Sequence, residues 1–142
     1  MGKRGLHMIH MELSKIIITE TSDHQIIVLT ERGGQRSFPI VIGLNEAWAI
    51  DRAVKGITTP RPLTHDLIGN VIECLNAGVI RVVINDLRNN TFYAKIVLQQ
   101  NGSTVEIDSR PSDAIALAMQ KNTPIFVANK VIEEICKSED SF

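Results

Sequence analysis

Between Leu13 and Ile42 the chain carries three apolar runs rich in β-branched residues: Ile16-Ile17-Ile18, Ile26-Ile27-Val28-Leu29 and Phe38-Pro39-Ile40-Val41-Ile42. They are divided by Ser22-Asp23-His24 and by Gly33-Gly34. Runs this short between turn-forming residues read as strands, and short connections read as hairpins. Hairpin-linked strands are antiparallel neighbours, so this stretch commits the fold to an antiparallel sheet. The signature recurs further on. Val79 to Ile84 is β-branched, Asn89-Asn90 breaks it, and Phe92, Ala94, Ile96 and Leu98 then alternate with Tyr93, Lys95, Val97 and Gln99. That is the period-two pattern of a strand with one buried face, and Asn101-Gly102 is a strong hairpin turn into a returning strand, Thr104 to Ile107.

Helices are expected where the period changes. After Gly43, Glu46 sits where a first-turn acid belongs, and Ala47, Ile50 and Val54 share a stripe that runs to about Lys55 before Gly56. Thr59-Pro60-Arg61-Pro62 then forces extended backbone, because each proline fixes its own φ and disfavours helix in the residue before it. Thr64 reads as the cap of a second helix with Asp66 in its first turn and an apolar face of Leu67, Val71, Cys74 and Leu75, which predicts a buried Cys74. Asp108-Ser109-Arg110-Pro111-Ser112-Asp113 leads into a third helix, Ala114 to about Gln120, followed by a last short strand at Pro124-Ile125-Phe126-Val127. The segment around Val131, Ile132 and Ile135 reads as a helical turn.

The expected class is therefore α+β, a mostly antiparallel or mixed sheet with three main helices packed on it. Strand, polar turn and alanine-rich helix occur at Ile40 to Ala53 and again at Glu106 to Ala118. This echo fits a duplicated hairpin-plus-helix unit, and it equally fits local physics shared by unrelated segments. One domain is expected over 11–136, with residues 1–10 a disordered leader and 137–142 a flexible tail.

Composition excludes several function classes. The chain has 142 residues, and its 15 Lys and Arg against 16 Asp and Glu leave a net charge of -1, without the uniformly basic surface of a protein that coats nucleic acid. Two cysteines are too few for a disulfide scaffold. The apolar runs fall well short of the roughly 18 residues of a membrane helix, and no signal-peptide pattern follows Met1-Gly2-Lys3-Arg4, so a cytoplasmic protein without membrane contact is expected.

No nucleophile elbow, Walker loop, dinucleotide fingerprint or zinc spacing is present. Polar residues concentrate instead at two helix entrances, Arg61-Pro62-Leu63-Thr64-His65-Asp66 and Asp108-Ser109-Arg110-Pro111-Ser112-Asp113. A helix start offers free N–H groups and a positive dipole end, so an arginine beside it can cradle phosphate, while carboxylates there can hold a divalent ion. The same Thr64, Asp66, Ser109, Ser112 and Asp113 are also what helix capping needs. His65 gains nothing from the dipole when charged, and reads as either a surface or a site residue. Glu46 is either a capping partner or a third carboxylate. Trp48, Phe92 and Tyr93 are too scattered to make a base-stacking platform and default to core or interface.

Five ordered blocks carry a resemblance: Phe38-Pro39-Ile40-Val41-Ile42-Gly43 with Glu46-Ala47; Pro60 to Leu67; Thr91-Phe92-Tyr93-Ala94; Ile107 to Ala118; and Pro124-Ile125-Phe126-Val127. Together they resemble the bifunctional nuclease domain family over about Leu13 to Ile135. The family takes its name from RNase and DNase activity attributed to plant members. The resemblance implies a metal-assisted nuclease acting on RNA and DNA. In that role Arg61 and Arg110 would clamp phosphate with Ser112 near the substrate, His65 would serve as general base or acid, and Asp66, Asp108 and Asp113, with Glu46 in reserve, would hold Mg2+ or Mn2+. The alternative is a non-catalytic binding or regulatory module whose Arg/Asp cleft takes an anionic ligand or closes a subunit contact. Both readings require the two entrances to converge, with Arg61, His65, Asp108 and Arg110 in one cleft. A homo-oligomer, most simply a dimer, is expected because an Ile-rich sheet edge such as Lys15 to Thr19 needs cover.

Overall fold

The computed structural model describes residues 7–140. Three antiparallel strands come first: β1 (Met8–Ile17), β2 (Gln25–Glu31) and β3 (Ser37–Ile42). Helices α1 (Leu44–Lys55) and α2 (Thr64–Cys74) follow, then a second antiparallel set of β4 (Ala77–Arg88), β5 (Thr91–Gln100) and β6 (Ser103–Ser109). Helix α3 (Pro111–Lys121), strand β7 (Ile125–Ala128) and helix α4 (Asn129–Asp140) complete the described residues. The tight turns use left-handed backbone where side-chain chemistry tolerates it. Asn89 and Asn90 (φ 51° and 62°) join β4 to β5, and Asn101 and Gly102 (φ 51° and 80°) join β5 to β6.

All seven strands form one mixed sheet in the order β3-β2-β1-β7-β4-β5-β6. β7 is parallel to β4 and antiparallel to β1, so it seals two triplets of strands into one sheet. The order mirrors itself about β7: β1-β2-β3 leads into α1 as β4-β5-β6 leads into α3, and the two helices pack on each other. The repeat suggested by the sequence is thus present in the topology. Alternate residues of the strands, among them Met11, Ile27, Leu29, Ile40, Ile84, Ile96 and Val127, form the core with Ile50 of α1 and the nearly all-buried Ala114–Ala118 of α3. The sheet curls enough that Phe38 of β3 stacks on Phe92 of β5, ring centroids 5.7 Å apart, across the four strands between them.

Four expectations need correction. β1 lies between β2 and β7 only at Met8–Met11, so the edge expected over Lys15–Thr19 is confined to Lys15–Ile17, which pair with β2 alone, and the strands that are edges along their whole length are β3 and β6. Met8, Ile9 and His10 pair with Ala128, Val127 and Phe126, so the leader expected over 1–10 is strand at 8–10, while residues 1–6 lie outside the described part. α4 is a fourth helix rather than a single turn; Val131 (0%) and Ile132 (6%) anchor it in the core, and it runs to Asp140 through part of the expected tail. Finally, α2 faces the other way. Its buried residues are Gly69 and Ile72, and Leu67, Val71, Cys74 and Leu75 are exposed. Gly69 explains the approach: a Cβ there would lie 3.1 Å from Cε of Lys121, so α2 docks on α3 by its small face.

Candidate active site

Three helix entrances share one construction. The residues before the helices, Gly43, Leu63 and Arg110, are extended, and the third helical residue of each is an acid: Glu46 in α1, Asp66 in α2 and Asp113 in α3. Such an acid ordinarily turns back to cap its own helix. Asp66 does so, accepting the Leu63 N–H at 2.9 Å, and it also accepts from the Gln120 side-chain amide at 3.0 Å. Leu63, rather than the expected Thr64, is therefore the cap residue. Asp113 does not cap. Its Oδ1 accepts from His65 Nε2 at 2.9 Å, and its two oxygens take Nε and Nη2 of Arg110 at 2.9 and 3.1 Å. The remaining Arg110 nitrogen, Nη1, reaches Glu46 Oε2 at 3.1 Å. The Glu46 carboxylate lies close over Gly43, and a Cβ there would require it to move aside.

The result is a chain of contacts, His65–Asp113–Arg110–Glu46, drawn from three helix starts. Burial pushes the Asp113 carboxyl up, but the hydrogen bonds from Arg110 and His65 outweigh it and hold it below its ordinary value. Arg110 is raised by its bonds to Asp113 and then Glu46, so it stays charged. An ionised carboxylate can only accept, so Nε2 of His65 carries the proton and Nδ1 of the neutral ring is left as a base. The His65 side chain is 16% exposed, which leaves it fixed yet reachable.

His65 forms part of the wall of two cavities. One, of about 1020 Å3, is a groove between α2 and the β5–β6 hairpin, apolar for most of its length and polar at the end formed by Glu46, Asp108, Ser109, Arg110 and Asp113. The other is a hollow of about 270 Å3 bounded by Arg52, Gly56, Thr58, Asp66, Asn70, Gln120 and Lys121. Local sequence gave no sign of Arg52, Asn70, Gln120 or Lys121. Arg52 and Lys121 lie in last turns, where a basic residue is what the helix dipole alone favours, and only the packing of α1, α2 and α3 brings them to His65.

Of the expected site residues, His65, Asp108, Arg110, Asp113 and Glu46 line the groove together. Arg61 lies apart on the exposed loop before α2, and Ser112 is buried, 5% exposed, at the start of α3. The carboxylates do not form a metal centre. Asp66 is occupied by its cap and Gln120, and Asp113 and Glu46 by Arg110. Among the described residues no group of three His, Cys, Asp or Glu side chains is placed to hold an ion. The residues present therefore do not fit the expected Mg2+ or Mn2+. Among the described residues, too, no helix is long and apolar enough to cross a membrane.

The sequence matches the bifunctional nuclease domain over residues 27–140. It is 37% identical over 119 residues to an uncharacterised protein of Mycobacterium tuberculosis, covering 84% of this chain and 71% of that one. Bifunctional nuclease 1 of Oryza sativa subsp. japonica is 26% identical over 111 residues, covering 76% of this chain and 34% of the rice protein. Bifunctional nuclease 2 of the same plant is 27% identical over 128 residues, covering 87% and 39%. The chain thus spans little more than a third of the rice proteins.

Proposed function

The chain belongs to the bifunctional nuclease domain family, and on that premise we propose that it hydrolyses phosphodiester bonds of RNA and DNA with His65 as the proton-transfer residue. The observation that carries this reading is the His65 Nε2 to Asp113 Oδ1 bond at 2.9 Å, backed by Arg110. A carboxylate that fixes the ring and keeps Nδ1 free is the support a general base needs. In the reaction, Nδ1 takes a proton from water as the water oxygen bonds to phosphorus; the bond from phosphorus to the leaving oxygen breaks, and that oxygen receives the proton from the ring. Arg52, on the hollow side of His65, offsets the charge that builds on the phosphoryl oxygens, together with Lys121, whose ammonium also pairs with Glu73, and Arg61, exposed on the loop before α2, is assigned to the flanking phosphate. Arg110 positions Asp113 rather than clamping phosphate. No step is routed through a metal ion.

The test is cleavage of labelled single-stranded RNA and DNA. His65→Ala should lower kcat by about 10²–10⁴-fold with an unchanged circular dichroism spectrum; undiminished cleavage would overturn the assignment. The net charge of -1 favours the second reading, a binding module for an anionic ligand in the same cleft. Wild-type protein that cleaves neither polymer but binds oligonucleotide or inorganic phosphate through Arg52 and Lys121 would establish it instead.

A further inference from the structure

Helix α2 carries its apolar face outward. Leu67, Val71 and Leu75 form a row spaced by four residues and are 55%, 49% and 60% exposed; across the groove Val105 and Ile107 of β6 are 43% and 41% exposed. A contiguous apolar surface of this kind on a folded chain marks a contact site. Covering these five side chains would remove roughly 250 Å2 of apolar surface, taking ~60–120 Å2 for a whole aliphatic side chain. That is about half the apolar share of a standard patch of ~800 Å2 per partner, with Ile68 and the rim of the groove to supply more.

The row is symmetric about its centre: leucine four residues before Val71 and leucine four residues after it. A two-fold axis demands a patch complementary to itself, and rows spaced by four pack into one another between crossed helices. No charged side chain interrupts the row, so an axis at Val71 brings no like charges together. The free edge of β6 offers no equivalent, because pairing β6 with a copy about its centre would set Glu106 against Glu106. We propose that this groove is the interface of a homodimer, in which α2 of a second copy lies antiparallel on α2, Leu67 of each against Leu75 of the other, and covers Val105 and Ile107. The second copy then closes the groove at the His65 end, and the polar hollow bounded by Arg52 and Lys121 becomes the way in to the histidine. The proposal concerns association alone and stands or falls independently of catalysis.

Light scattering on the purified chain at tens of micromolar should give twice the 15.7 kDa chain mass. Val71→Arg should give 15.7 kDa with an unchanged circular dichroism spectrum, since the side chain is half exposed in the single chain. In a background with Cys74→Ser and Cys136→Ser, Val71→Cys should form a disulfide-linked dimer on mild oxidation, because the axis sets position 71 against itself; this variant decides the matter should Val71→Arg fail to fold. A monomeric wild type overturns the proposal, as does a Val71→Arg protein that remains dimeric or a Val71→Cys protein that does not cross-link. A monomer that takes up lauric acid, lost in Val71→Arg, would assign the groove to an amphiphile instead.

Discussion

Glu46 and Asp113 hold the same place in the two repeated units, the third residue of α1 and of α3, and one guanidinium, that of Arg110, binds both carboxylates. The repeat is broken at this point. Only Asp113 also takes His65, so the second unit supplies the working acid and the first supplies the anchor for the arginine that steadies it. Three of the five guanidinium N–H donors are used in a fork that a single ammonium cannot reproduce.

Arg110→Lys is therefore expected to keep the charge and lose the geometry. The arginine side chain is 62% exposed, so the stability cost is small, about 1 kcal/mol or less in urea unfolding. Cleavage should fall by a larger factor, in kcal/mol, than stability does, because Asp113 loses the contact that orients it toward His65. Equal losses in both measurements would reduce Arg110 to a structural ion pair.

The depressed Asp113 carboxyl sets a pH dependence. Its folded value lies below its unfolded one, so its contribution to stability is fully present above the ordinary aspartate range near ~3.9 and is lost as pH falls through the folded value. Thermal unfolding followed from pH 6 to pH 2 should show a fall in Tm that Asp113→Asn makes shallower. A variant whose curve is parallel to wild type at every pH would show that this carboxylate makes no differential contribution.

Much of the fold was legible because it rests on local signals. Asn101-Gly102 needs left-handed backbone and receives it, and the alternation from Phe92 to Gln99 matches the strand it forms. What the sequence concealed follows from a single limit: a pattern shows that a surface is apolar and leaves open what covers it. The row Leu67, Val71, Leu75 has the spacing of a core face, yet Gly69 lets α2 lie closer to α3 by its opposite side. The site divides in the same way. The helix entrances could be found from Pro62, Pro111 and the acids beside them, but His65 and Asp113 are 48 residues apart, and no local rule says that the acid at the third position of α3 abandons its cap for a histidine on another helix.

Asp66 separates capping from chemistry. Asp66→Ala removes the acceptor for the Leu63 N–H and should cost about 1 kcal/mol in urea. Asp66→Asn keeps an acceptor oxygen for Leu63, and Gln120 can turn its own amide oxygen to the new NH2, so it should lose less stability than Asp66→Ala and leave cleavage unchanged. If Asp66→Asn abolishes cleavage in a protein of wild-type stability, the carboxylate charge has a role that the cap does not explain.

Metal uptake by the free protein is the last expectation the geometry fixes. A hard cation needs several oxygens free to converge, and a site with one or two protein carboxylates fills the remainder with water or substrate phosphate. Here both Asp113 oxygens and Oε2 of Glu46 bind Arg110, which would have to be displaced, Oε1 of Glu46 lies over Gly43, and Asp66 is turned to its own helix start. Asp108, exposed on β6 at the polar end of the groove, is the carboxylate left for an ion, and one carboxylate binds a divalent cation weakly. Titration of the substrate-free protein with Mn2+, followed by electron paramagnetic resonance, should accordingly show no site tighter than about 1 mM, and Asp108→Asn should not change the signal. A site in the micromolar range that Asp108→Asn removes would mean that Arg110 releases its carboxylates when the ion arrives, and the His65–Asp113 pair would then have to be redrawn around the metal.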